Sequence, residues 1–336
     1  MKNKIYATII GLLATTAVAQ AQVVVGRPEN MVPDKSMNTY KMGSEDYKSV
    51  KNNTTLFILQ ERDYVNLARY QKMLEEVWTV TPFKIVAIDE LSRYEGQPNY
   101  NFFNFGMYYY EITSSGGTRK LILFDYELRN SLTSTKKSKT YAKIFLHPAK
   151  ETIQEAVKSD KDRKMIMSTK QMLNSTVGYL YADADIYNWS AGFLRGYLKQ
   201  INDALDKETT VEFKNEFKNA NLLSSLKNET LYISEDAYNI NYNVFSFKDK
   251  EDVDAKENLK KNYKYAVKIL PKEELSQLIV DQKEGIKYVT FTIISGQRFL
   301  SVYDSKTNEL IYMDYTRGGF GTFNKDMSKL EKAIGK

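Results

Sequence analysis

The sequence predicts an α/β protein made of two tandem β-α-β-α-β-β repeats, each a mixed sheet covered by helices. Three observations lead there. LEEVWTVTPFKIVAIDELSRY, from Leu74 to Tyr94, returns in weaker form from Leu259 to Leu278 as LKKNYKYAVKILPKEELSQL. With one gap, Leu74 falls against Leu259, Trp78 against Tyr263, Asp89 and Glu90 against Glu273 and Glu274, and Leu91 and Ser92 against Leu275 and Ser276. The similarity also continues in order, as a duplication requires: TTLFIL (Thr54 to Leu59) matches ETLYIS (Glu229 to Ser234), and LILFDY (Leu121 to Tyr126) matches LIYMDY (Leu310 to Tyr315).

Residues 1–21 begin with Lys2 and Lys4, continue through the apolar IIGLLATTAVA and end on Ala17, Ala19 and Ala21, the pattern of a secretory signal peptide. The apolar core is shorter than the ~20 residues of a membrane-spanning helix, and no later stretch is long and apolar enough to be one. The expected product is an exported protein, periplasmic or associated with the outer membrane. Residues 22–53 are polar and read as an N-terminal arm.

The first repeat occupies 54–227, with a helical insert, and the second 228–336. In the first, TTLFIL is a strand, and apolar residues at helical spacing predict a helix from about Asp63 to Trp78. Pro82 ends helical continuity, FKIVAI suits a buried strand, and strand–helix–strand favours a parallel pair with a right-handed crossover. Asp89 is placed to cap a short helix over DELSRY. YNFFNFGMYYYEI and RKLILFDY are strands joined at SSGGT, whose glycines permit positive φ.

The insert, about Glu127 to Lys227, contributes a solvated TSTKKSKT loop, a strand YAKIFLHP and two amphipathic helices. One has Ile166, Thr169, Leu173, Val177 and Leu180 on a face; the other has Leu194, Tyr197, Leu198, Ile201 and Leu205. Such stripes pack against a sheet. In the second repeat, ETLYIS, a weak helix from Asp252 to Asn262, YAVKIL and a helix over PKEELSQLI precede a meander of KYVTFTII, QRFLSVYD and ELIYMDY. Phe323, Met327, Leu330 and Ile334 mark a closing helix.

Composition excludes several chemistries. The chain has 48 Lys and Arg against 42 Asp and Glu, a formal charge of +6, of which the leader's two lysines supply a part. This balance, without a concentrated basic patch, argues against nucleic acid. One histidine and no cysteine exclude thiolate or histidine-rich zinc sites, thiol nucleophiles and disulfides. His147, in FLHPA without a nucleophile elbow, reads as structural. No cofactor is implied, and RGGFG (Arg317 to Gly321) lacks the Walker and dinucleotide patterns.

Carboxylate chemistry remains open. Asp183 and Asp185 in YADADIYNW are the best local acidic pair, flanked by Tyr181, Tyr187 and Trp189, aromatics of a kind that stacks on sugars, so these five residues form the candidate ligand site. Asp125 and Asp314, each preceding a tyrosine in the matched blocks, read as equivalent strand-end residues.

In the order of strand, helix, strand and short helix the half-repeat resembles secreted α/β proteins of bacterial envelopes and the amino-terminal α/β domain of TolB. That resemblance implies a non-catalytic role in contacts with an envelope or outer-membrane protein partner. It carries over no functional residues, and the chain lacks the lipobox cysteine and β-propeller of those relatives. The alternatives are an envelope glycan binder or glycan-cleaving protein using carboxylates, and a carrier of a small apolar ligand held between the repeats.

Overall fold

The computed structural model describes residues 22–26, 39–114, 117–132, 138–159, 176–182, 184–212, 216–239, 255–281, 284–294, 297–316 and 323–335. The leader, the RGGFG segment, Asp183 and the helix expected around Ile166 to Leu173 lie outside the described residues.

Two six-stranded mixed sheets, each flanked by helices, form the fold. The first comprises β1 (Val23–Val25), β2 (Thr54–Phe57), β3 (Phe83–Ile85), β4 (Tyr100–Ser114), β5 (Gly117–Arg129) and β6 (Thr140–Leu146), in the spatial order β1-β6-β5-β4-β2-β3. The second comprises β7 (Glu216–Lys218), β8 (Leu231–Ser234), β9 (Val267–Leu270), β10 (Lys287–Ile294), β11 (Gln297–Asp304) and β12 (Glu309–Thr316), in the order β7-β12-β11-β10-β8-β9. Adding six to each strand of the first order gives the second. In both, the strand after the opening helix runs parallel to its two neighbours and the other pairs are antiparallel. Even the irregularity repeats: a bulge interrupts the ladder between Leu128 and Arg129, and another between Val302 and Tyr303.

The registers correct two details of the sequence alignment. Thr55 pairs with Phe83 where Leu231 pairs with Val267, so Thr55 matches Leu231, one residue from the alignment of TTLFIL on ETLYIS. LILFDY lies on β5 and LIYMDY on β12, whose true counterparts are β11 and β6; Asp125 and Asp314 are therefore not equivalent. Neighbouring meander strands share period-two apolar patterns, so a block matches one strand along almost as well as in place. Two short edge strands escaped the pattern altogether: β1 within the arm, and β7, which joins the second sheet although it precedes residue 228.

The helices are α1 (Ser44–Asn52), α2 (Leu67–Val77), α3 (Lys150–Ser159), α4 (Thr176–Ala182), α5 (Ala191–Asp206), α6 (Ala220–Ser225), α7 (Glu235–Asn239), α8 (Ala255–Asn262), α9 (Lys272–Asp281) and α10 (Phe323–Gly335). Residues 61–66 and 88–93 are 3₁₀ turns. Asp89 sits in the first turn of the second of these, and the capping position is Ala87, whose extended backbone begins the turn without a side-chain acceptor.

The keystone is α5. Ser190 caps it, its hydroxyl accepting from Phe193 N–H at 3.2 Å. The helix is buried nearly all round rather than along one stripe, because both halves pack on it. On one side Asn202 Oδ1 accepts from the amides of Thr79 and Val80, and Arg195 pairs with Glu76 at 2.7 Å. On the other, Phe193 stacks on Tyr288 and Tyr197 meets Tyr303 edge-on.

The two sheets stack in the same sense. In the first, the face bearing Phe57, Phe103, Phe105 and Tyr126 meets Trp78 at the end of α2 and Tyr181 and Trp189 ahead of α5. The registers make Ile233, Val289, Phe291 and Leu300 their equivalents in the second sheet, and those residues share a core with α8 and α10. The second sheet meets α5 through its opposite face, with Tyr288 and Tyr303. In the first sheet that opposite face carries a row of buried charge: Lys143 pairs with Asp125 at 2.9 Å and lies 3.6 Å from Glu127, which binds Arg129 at 3.1 Å.

His147 staples the halves. At the end of β6 it is buried, and its Nδ1 accepts from the amide of Ile293 on β10 at 3.3 Å. Burial pushes the imidazole down to about 3, against a partial upward pull from a backbone bond to Phe291. A base whose folded pKa is depressed adds stability that is complete above its unfolded value near 6.5 and is lost as pH falls from there towards 3. The expected result is a decline of about 1.4 kcal/mol per pH unit attributable to this residue. Urea midpoints measured from pH 7 to 4 should fall more steeply for the native chain than for His147→Gln, which keeps an acceptor and a donor without titrating. Parallel profiles would refute this.

Candidate functional site

The described part of the seam between the halves contains a cleft of about 130 Å³. Its wall comes from three parts of the chain: Arg62, Asp63, Asn66, Arg69 and Tyr70 from the first repeat, Trp189 and Ala191 from the approach to α5, and Lys272, Glu273 and Ser276 from α9. The two charged segments lie just beyond the C-terminal ends of the parallel strands β2 and β9, the end at which α/β sheets place ligand sites.

Asp63 is the fixed centre of the wall. One carboxylate oxygen accepts from the Tyr70 hydroxyl at 2.6 Å; the other accepts from Trp189 Nε1 at 2.8 Å and from the Gln60 amide at 3.0 Å. Burial raises its pKa, with those three donors pulling the other way. The Gln60 side chain holds the adjoining segment by donating to the carbonyls of Leu180 and Ala184, and its Oε1 accepts from Arg62 Nε. Three long-range contacts therefore lock an indole, a phenol and a carboxylate into one rigid surface.

Around this surface the charges are mostly spent on one another. Asp185 pairs with Lys272 at 2.9 Å and with Arg62 at 3.4 Å, and Lys272 also reaches Asp236 at 3.7 Å. Burial pushes the Asp185 carboxyl up, but Lys272 and Arg62 outweigh it and hold the group below the usual carboxylate range. Arg69 and Glu273 are the exceptions: among the described residues neither has an ion-pair partner.

The candidate residues read from YADADIYNW are only partly brought together. Asp183 lies outside the described residues. Asp185 stands at the edge of the cleft, tied up in its two ion pairs. Tyr181 and Trp189 are 1% and 2% exposed, with their rings against Phe105, and Trp189 also against Tyr126. The Tyr181 hydroxyl accepts from the Phe105 amide at 2.9 Å. Neither ring has an open face for a sugar. Tyr187 is half-buried edge-on to His147.

Trp189 lines the cleft for a reason the sequence does not carry, as the partner of Asp63, and the charged segments of the wall lie far from it, Arg62 to Tyr70 more than a hundred positions before and Lys272 to Ser276 more than eighty after. The only trace of them in the sequence is the DELS and EELS repeat, which contains Glu273 and Ser276 but gives no hint of what they face.

Among the described residues no cluster of histidine, cysteine or acidic side chains is arranged to hold a metal ion, and no helix is long and apolar enough to cross a membrane. No protein-family model matches the chain, and no curated protein or solved structure matches it significantly.

Proposed function

We propose that the chain is a non-catalytic binding module of a bacterial cell envelope, exported by its leader and assembling with an envelope or outer-membrane partner through the seam cleft. The observation that supports this reading is the composition of the cleft wall from both repeats and the segment between them. A ligand group seated there touches both halves at once, so the duplication supplies a site that neither unit has alone. The rigid Asp63–Tyr70–Trp189 surface favours recognition over reaction: every oxygen of its one carboxylate is already engaged by donors. Strand addition at the sheet edges has less support, because β3 and β9 are short and present Lys84 and Lys268, the kind of charge that discourages edge pairing. The carrier reading has less support too, since α5 fills the space between the sheets with packed side chains.

The test is a mild-detergent pull-down of the tagged mature protein from its native envelope, run beside Arg69→Glu. The expected result is a stoichiometric partner that the variant loses. A protein recovered alone, or a partner retained equally by the variant, would sink the proposal.

A further inference from the structure

We infer that the group captured by the seam cleft is a small zwitterion of amino-acid size, its carboxylate held on the Arg69 side and its ammonium on the Glu273 side. The inference rests on the cleft being a binding site and names a small molecule that site takes, in competition with the partner.

Size comes first. A volume of about 130 Å³ is close to that of a cavity that holds one benzene ring, so it admits roughly six to eight heavy atoms. That is one small amino acid, or the end of a larger molecule; it is too little for a nucleotide or a disaccharide.

Charge selects within that size. Of the ionisable side chains on the wall, Asp63 is saturated by three donors, and Arg62 and Lys272 both engage Asp185. What remains is one guanidinium, Arg69, contributed by α2 of the first repeat, and one carboxylate, Glu273, contributed by α9 of the second. They lie beyond ion-pair distance of each other. A guanidinium matches a carboxylate in plane and in spacing, whereas a carboxylate accepts equally well from an ammonium. A ligand carrying both charges meets both groups at once, whereas one carrying a single charge leaves the other group to solvent.

The wall supplies the rest. The donors of Tyr70 and Trp189 are committed to Asp63 and both side chains are buried, so they close the back of the cleft without offering it a hydrogen-bonding group. Asn66 and Ser276 are the uncharged polar groups at the margin, and the Ser276 hydroxyl accepts from the Gly192 amide at 3.0 Å.

The experiment is titration of the full mature chain by calorimetry and by tryptophan fluorescence, Trp189 being in the wall. The probes are L-alanine and L-valine, each beside its N-acetyl derivative, which lacks the ammonium, and its amide, which lacks the carboxylate. Saturable binding of the free amino acids is expected, weakened about tenfold or more by either blocking group. Arg69→Gln should abolish the advantage of the free acid over the amide, and Glu273→Gln that over the N-acetyl form. Arg69 is half-buried and Glu273 exposed, and among the described residues neither has an ion pair to lose, so both variants should fold.

Absence of saturation at about 10 mM for every probe would overturn the inference, that level being weaker than any useful small-ligand affinity. So would equal binding of the N-acetyl forms, which would mark a simple anion site. If no amino acid binds while Arg69→Glu still loses the envelope partner, this inference fails and the binding reading stands.

Discussion

Replacing Asp326 by alanine is expected to destabilise the protein by about 3–5 kcal/mol, the cost of stripping one side from a buried ion pair. Asp326 on α10 takes two parallel hydrogen bonds from Arg298 on β11, at 2.8 and 3.1 Å, with side chains 1% and 5% exposed. Alanine would leave the guanidinium inside the protein without its two-point partner. The same helix seals the outer core of the second sheet through Phe323, Met327, Leu330 and Ile334, so its loosening should expose that core as a unit. Urea denaturation is the measurement, and Asp326→Asn, which keeps the shape and part of the hydrogen bonding, should lose distinctly less. The double change Arg298→Met with Asp326→Leu should recover most of the loss, since the charges themselves are costly to bury. A loss below about 1 kcal/mol for the alanine variant would mean that the pair is effectively solvated.

Gly192→Val is expected to cost about 3 kcal/mol, at the upper end of what overpacking a dense interior does. A Cβ at residue 192 would lie 2.8 Å from the Ser276 Cα and 2.9 Å from its carbonyl oxygen, and backbone cannot swing aside as a side chain can. The helices α5 and α9 touch here only because glycine lets them, and the Gly192 amide uses the proximity to bond Ser276 Oγ. Because Ser276 and Lys272 share that helix, the variant should also disturb the cleft. Amino-acid titration of whatever fraction stays folded should be weaker than in the native chain. Native thermal stability in Gly192→Val would show that α9 can move away freely.

Much of the architecture was legible in the sequence because period and punctuation carry it. The β2–α2–β3 unit announces itself through Leu74, Val77 and Trp78 at helical spacing, Pro82 and the apolar FKIVAI, and its copy is recognisable at Tyr263 and YAVKIL. The strands β1 and β7 were not legible, as three residues show no alternation. The placement of the halves was hidden for a different reason. Leu194, Tyr197, Leu198, Ile201 and Leu205 describe one stripe, whereas Gly192, Gly196, Gln200 and Asn202 are buried as well, and small or polar residues give no hydrophobic signal. The cleft was nearly invisible, since Arg62, Arg69, Trp189 and Glu273 acquire a common meaning only when α5 draws the two repeats together. YADADIYNW drew attention through composition, and of its aromatics Trp189 reaches the cleft, as the partner of a carboxylate some 126 positions away.

The like-facing arrangement of the two sheets has a further consequence. Units related by a two-fold axis hide their sticky faces from the world together; units related by something closer to a step along a line leave one unlike face at each end, and such a line can in principle grow. Here the two ends carry charge where the inner faces are apolar. The last helix turns Lys325, Lys329 and Lys332 outward, where an inner helix such as α5 is apolar, and at the other end the counterparts of Phe299, Ser301 and Met313 are Asp125, Glu127 and Lys143. Terminal units of repeat proteins are made polar for the same reason. A third unit stacked in the same sense would meet exposed lysines at one end and, at the other, a sheet face given over to buried ion pairs.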